Sequence, residues 1–228
     1  MIKVLYIALR YIKHMQKLFL FLFLTSIFSS CKKPSLEFAC DPAINEFVLS
    51  NRYELSKIST QELVSYDLQL QRAIFNSWAE DKKRSIWVDK FKYLLSHEPF
   101  TAAEAAHIRT LIDHFDDDYF NKEILQNNLH SRSAFAAEWV TYATKDLKWS
   151  KKYIAFIVYR LYTDQSQLDR ELSNLQIAAE SLNTNSEAGN CSCNTSSDFC
   201  SLFCERGGCQ ITTGCGWVWS MSCDGSCY

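Results

Sequence analysis

Eight cysteines, spaced C-x-C-x6-C-x3-C-x4-C-x5-C-x7-C-x3-C, form the densest set of reactive side chains in this 228-residue sequence. They are Cys191, Cys193, Cys200, Cys204, Cys209, Cys215, Cys223 and Cys227; of the ten cysteines only Cys31 and Cys40 lie elsewhere. Cysteine thiolates bind metal, exchange with disulfides or pair with one another. Zinc modules favour C-x2-C pairs or mixed Cys/His sets, but this run has no two-residue spacing and no histidine follows His130. Redox sites favour C-x-x-C, for which the C-x-C of Cys191 and Cys193 is a poor substitute. In an exported chain the pattern reads as disulfides, with connectivity left open by spacing alone.

Other chemistry is sparse. His97, His107 and His114 lie near Asp113 and the run Asp116-Asp117-Asp118, yet no HExxH or comparable ligand spacing joins them. The acidic run reads more simply as a solvated loop or helix start. All six glycines fall at Gly189 or later, so no GxSxG, P-loop or dinucleotide fingerprint exists before the tail. No catalytic residue, metal or cofactor is expected, and the chain does not read as an enzyme. A net charge of −2 without a basic run argues against a nucleic-acid partner.

The tail carries Arg206 against Asp198, Glu205 and Asp224, a net charge of 1 − 3 = −2, so attraction to anionic lipid is not its mode of action. With cysteines filling a small interior, Phe203, Trp217, Val218, Trp219 and Met221 are expected to face outward and contact a membrane or a protein partner. The competing reading has Trp217 and Trp219 covering the disulfides. A segment of about 40 residues cannot offset its chain entropy with apolar burial alone, and disulfides contribute about 2–4 kcal/mol each. The tail is therefore expected to hold its shape without the rest of the chain.

The elements before the tail read as helices. Asp41-Pro42 offers a cap and a first-turn proline, and Ser59/Glu62 and Thr101/Glu104 have capping-box spacing. Leu63, Tyr66, Leu70 and Ile74 recur at helical intervals within one segment, as do Ile154, Val158 and Leu161. With no glycine or proline to stop it, the last helix is expected to run from about Ser150 to Leu182, its stripe made of Leu168, Leu172, Leu175, Ala179 and Leu182. The fold class is an all-α helical body, residues 41–183, plus a small disulfide-rich C-terminal module, residues 191–228, joined by a polar linker at 184–190.

Residues 1–30 read as a signal peptide, with translation expected to start at Met15. The apolar stretch from Leu18 is shorter than the roughly 20 residues of a membrane-spanning helix. "FSSCKK" resembles the lipoprotein signals of Gram-negative bacteria, which implies acylation of Cys31 and a tether over 31–40. The bilayer is then a partner through Cys31, and the location is the bacterial cell envelope, at the outer membrane. In the tail, "NCSCNTSSDFC", "GCGWVW" and the closing "CDGSCY" resemble the bacteriocin fulvocin C-related family over about the last 40 residues. That resemblance implies four disulfides among the eight cysteines and an antibacterial peptide directed at a target-cell membrane or surface protein. The function expected is a lipid-anchored exported precursor or carrier of such a peptide. The alternative is a structural or binding lipoprotein whose disulfide knob recognises a surface partner.

Overall fold

The computed structural model describes residues 37–39, 41–121, 129–181, 191, 193–200, 204–206 and 212–227. Among these, eight helices precede the tail: α1 (Pro42–Leu55), α2 (Thr60–Leu63), α3 (Leu68–Ser77), α4 (Glu80–His97), α5 (Ala102–His114), α6 (Leu129–Lys145), α7 (Lys151–Val158) and α8 (Gln165–Ser181). Four short strands follow, β1 (Cys204–Glu205), β2 (Thr212–Cys215), β3 (Met221–Cys223) and β4 (Ser226–Cys227). The fold is a helical body followed by a disulfide-rich C-terminal region.

Helix starts follow the local chemistry of the sequence. The Asp41 carboxylate accepts from the Ala43 and Ile44 amides, with Pro42 in the first turn where its missing N–H costs nothing. Thr101 and Glu104 form a complete capping box: each side chain accepts from the other's backbone amide. Ser59 accepts from the Glu62 amide, but its helix is only the four residues of α2. The single helix expected through Leu63, Tyr66, Leu70 and Ile74 is instead two. The chain turns at 64–67, and Asp67 caps α3 by accepting from the Leu70 amide.

The long final helix is also divided, into α7 and α8. No glycine or proline causes this break; tertiary partners do. Lys90 of α4, buried in the core, donates its ammonium to the carbonyls of Phe156, Ile157 and Arg160. The Tyr159 carbonyl accepts from the Trp219 indole at 3.0 Å. These donors take carbonyls that a continuing helix would pair with its own amides. Burial, and secondarily the charge of Arg160, push the Lys90 pKa well below the usual lysine range. After the break, Asp164 accepts from the Ser166 amide at 2.8 Å and starts α8. Arg160 swings onto α8 and grips Glu171 through Nε at 2.8 Å and Nη2 at 2.7 Å.

The core is dominated by aromatic rings. Phe75 of α3, Trp87 and Phe91 of α4, Phe115, and Phe156 of α7 are all buried, with Ile74, Leu94 and Ile108 between them. α3 is enclosed nearly all round, since Gln71, Arg72, Ala73, Ile74 and Phe75 are buried in succession. One reason is that β2 packs against it. The tail thus belongs to the same compact unit as the body, spanning Leu36–Tyr228. In the whole chain the tail packs against the body rather than standing apart from it.

Candidate functional site

The tail's tryptophans reach the body from a short hairpin. β2 and β3 run antiparallel, with Thr212 opposite Cys223 and Thr213 opposite Ser222, and a register shift before Cys215 pairs with Met221. Between them Trp217–Trp219 make one 3₁₀ turn, in which Val218 (φ 44°) and Trp219 (φ 57°) are both left-handed. Gly216 supplies the entry, at φ 66° and ψ −153°, a region essentially reserved for glycine. From this turn both tryptophans enter the helical body, Trp217 against α6 and Trp219 against α3 and α4.

Trp217, Val218, Trp219 and Met221 are therefore core residues. Trp217 and Val218 are fully buried and Trp219 is 2% exposed. Their expected outward orientation is overturned, and for a physical reason: cysteines do fill the tail's interior, but the body offers a larger one. Trp219 sets its ring edge-to-face against Phe75 (5.3 Å between centroids) and Trp87 (5.8 Å). Trp217 meets Trp139 at 5.3 Å and Phe135 at 6.2 Å, both on α6. Such edge-to-face pairs add about 0.5–1.5 kcal/mol each beyond the area buried. Phe203 lies outside the described residues, as do Cys31, Cys40 and Cys209.

Asp198 ties the loop before the hairpin to the body. Its side chain is fully buried, and one carboxylate oxygen accepts from the Asn194 amide at 3.1 Å and the Gly216 amide at 2.8 Å. The other accepts from the Phe199 amide at 2.8 Å. Both face Nη2 of Arg72 on α3, at 3.2 and 3.3 Å. The same guanidinium donates to Cys215 Sγ at 3.1 Å and sits 5.9 Å from the Trp219 ring centroid. Burial pushes Arg72 below its ordinary pKa, and the Asp198 charge works against that shift. Nearby, the Tyr159 hydroxyl bonds the Ser197 hydroxyl at 3.0 Å, and burial pushes the Tyr159 phenol up to about 12. Tyr159 thus stays neutral and serves as a hydrogen-bonding post.

The segment Asn194-Thr195-Ser196-Ser197-Asp198 gains its shape from its own side chains. Asn194 accepts from the Ser196 and Ser197 amides and donates to the Ser222 carbonyl at 2.7 Å. Asp224 accepts from both the amide and the hydroxyl of Thr195. Two disulfides flank this loop, Cys193–Cys204 and Cys200–Cys227, and Cys215–Cys223 ties β2 to β3. Cys191 is disulfide-bonded as well. The sulfurs of Cys193, Cys200 and Cys204 lie within 4.8 Å of one another, as expected for two adjoining bridges.

Each of the three histidines weighed as metal ligands stacks on an aromatic ring. His107 stacks on Trp139 at 4.2 Å and exchanges hydrogen bonds with its backbone and indole. His114 stacks on Phe135 at 3.6 Å. His97 stacks on Tyr93 at 3.9 Å, at the end of α4. Sequence reasoning missed Arg72 and Asp198 as a pair. The signal available was a lone arginine within an apolar helical run and the Ser-Ser-Asp of the tail, but nothing local joins two residues that far apart in the chain.

No family model matches the chain, and no curated protein or solved structure does either. The functional reading therefore rests on the geometry of the docked tail.

Proposed function

We propose that this chain is an exported, envelope-anchored carrier of a bacteriocin-like disulfide peptide, non-enzymatic, in which the helical body holds the peptide with its aromatic ridge masked. The observation that carries this reading is the burial of Trp217 and Trp219 among Phe75, Trp87, Phe135 and Trp139. In a small peptide of net negative charge, an aromatic ridge is the part suited to enter a membrane interface or a partner's pocket. Kept inside the body, it is inert; freed by cleavage within 183–190, it becomes available. The abundance of disulfides fits an oxidising compartment, in keeping with the resemblance of "FSSCKK" to a lipoprotein signal.

The test is a growth-inhibition assay with three samples: the intact chain, the chain cut in that segment, and the oxidised tail separated from the cut chain in denaturant without reductant. The expected result is inhibition by the separated tail, lost on reduction, and none by the intact chain. An oxidised tail that inhibits nothing across a broad strain panel overturns the reading.

A second reading draws on the same burial. The buried Arg72–Asp198 pair and the shared core suit a tail that never leaves, sealing a structural or binding lipoprotein. In that case partner recognition falls to surfaces other than the tryptophans, and the tail stays attached in native membranes.

A further inference from the structure

We infer that the helical body is a binding site for this tail in trans: it captures a tail that is not covalently joined to it, including one from a second copy of the chain. This rests on the carrier reading above and adds a second role to the body, that of a cognate binder for the free peptide.

The join between tail and body has the anatomy of a protein–protein interface. Two tryptophans and an Arg–Asp pair stand at its centre, the residue types that dominate binding energy where partners are fully desolvated. The body side is built from Arg72, Phe75, Asn76, Trp87, Trp139 and the Tyr159 carbonyl, contributed by α3, α4, α6 and the end of α7. Two polar groups of the tail have specific counterparts there. The Asp198 carboxylate meets the Arg72 guanidinium, and the Trp219 indole N–H meets the Tyr159 carbonyl. At Gly214 the fit is close enough that a Cβ would come within 2.6 Å of the Asn76 side chain.

Among the described residues each paired disulfide joins two tail cysteines, and none crosses to the body. The described contacts at this interface are non-covalent, and for them chain continuity contributes a high effective concentration. A tail supplied from solution has the same contacts to make, and making them refills the core that its removal opens.

The experiment uses the full chain with a protease site placed within 183–190. Isotopically heavy and light samples are cut, mixed at tens of micromolar, and divided. One portion is incubated natively; the other passes through urea and dilution without reductant. Native mass spectrometry then counts both mixed complexes, heavy body with light tail and light body with heavy tail. The expected result is that mixed pairs reach about half of all complexes after the urea cycle. In competition, an Asp198→Asn tail should be captured at least tenfold less than the unaltered tail. Absence of mixed pairs in both portions, with the uncut chain regaining its helical signal after the same cycle, overturns the inference. Equal capture of the two tails overturns the assignment of Arg72 and Asp198 as the recognition pair. A tail that inhibits bacteria yet never re-pairs leaves the carrier reading standing and removes only this one; re-pairing without inhibition does the reverse.

Discussion

Asp198→Asn removes one charge and almost no volume, so its effect falls on the ion pair and amide contacts that hold the tail. The wild-type carboxylate is fully buried, and Arg72 is 8% exposed. Removing one partner of a buried pair costs about 3–5 kcal/mol, because the remaining charge stays desolvated without compensation. Asparagine keeps one acceptor for the Asn194 and Gly216 amides but turns a donor toward the Phe199 amide or the guanidinium. Both effects act in the same direction, so a loss of about 3–5 kcal/mol is expected, roughly 6–20 °C in melting temperature for a unit of this size. The assay is urea unfolding followed by tryptophan fluorescence, since Trp217 and Trp219 report on the docked hairpin itself. Arg72→Met should also destabilise, and the double variant should be less destabilised than the sum of the two by at least about 1.5 kcal/mol. A loss under about 1 kcal/mol for Asp198→Asn, or additive single variants, would refute the claim that this pair holds the tail in place.

Gly216→Ala should destabilise by about 2 kcal/mol or more. Its φ of 66° disfavours any side chain, and a Cβ would come within 2.6 Å of the Ser197 carbonyl oxygen; thermal melts of the two proteins check this. Stability should also fall as pH drops below 6.5. His107 and His114 both have pKa values held below the ordinary 6.5, first by burial and, at His114, also by Arg132, with Asp116 opposing. The unfolded chain therefore takes up protons before the folded one: the full stability is present above 6.5 and is lost as pH falls through the folded-state values. Urea midpoints at pH 7.5, 6 and 5 test the direction, and a midpoint that rises as pH falls through this window would contradict it.

Much of the helical body was legible in the sequence. Capping is local: Asp41, Thr101 and Glu104 act on amides two or three residues away, so their effect is written in the spacing. The disulfide-rich character of the tail was equally plain from its cysteines. The two broken helices were less legible, for different reasons. The turn at 64–67 has a local marker, Asp67, that reads as a cap once the turn is known. The turn after Tyr159 has none, because what ends α7 is an ammonium from α4 and an indole from the tail.

Composition by itself therefore determined two regions of different construction, a helical one without glycine and a glycine-bearing one rich in cysteine. It could not decide which way the tryptophans face. A small disulfide segment has no interior of its own to receive two indoles, and by that argument they belong outside. Only tertiary structure supplies the pocket lined by α3, α4 and α6, and the Arg72 charge that pairs with Asp198 across it. Where an apolar side chain goes depends on the largest dry surface within its reach, and here that surface is built by residues far away in the chain.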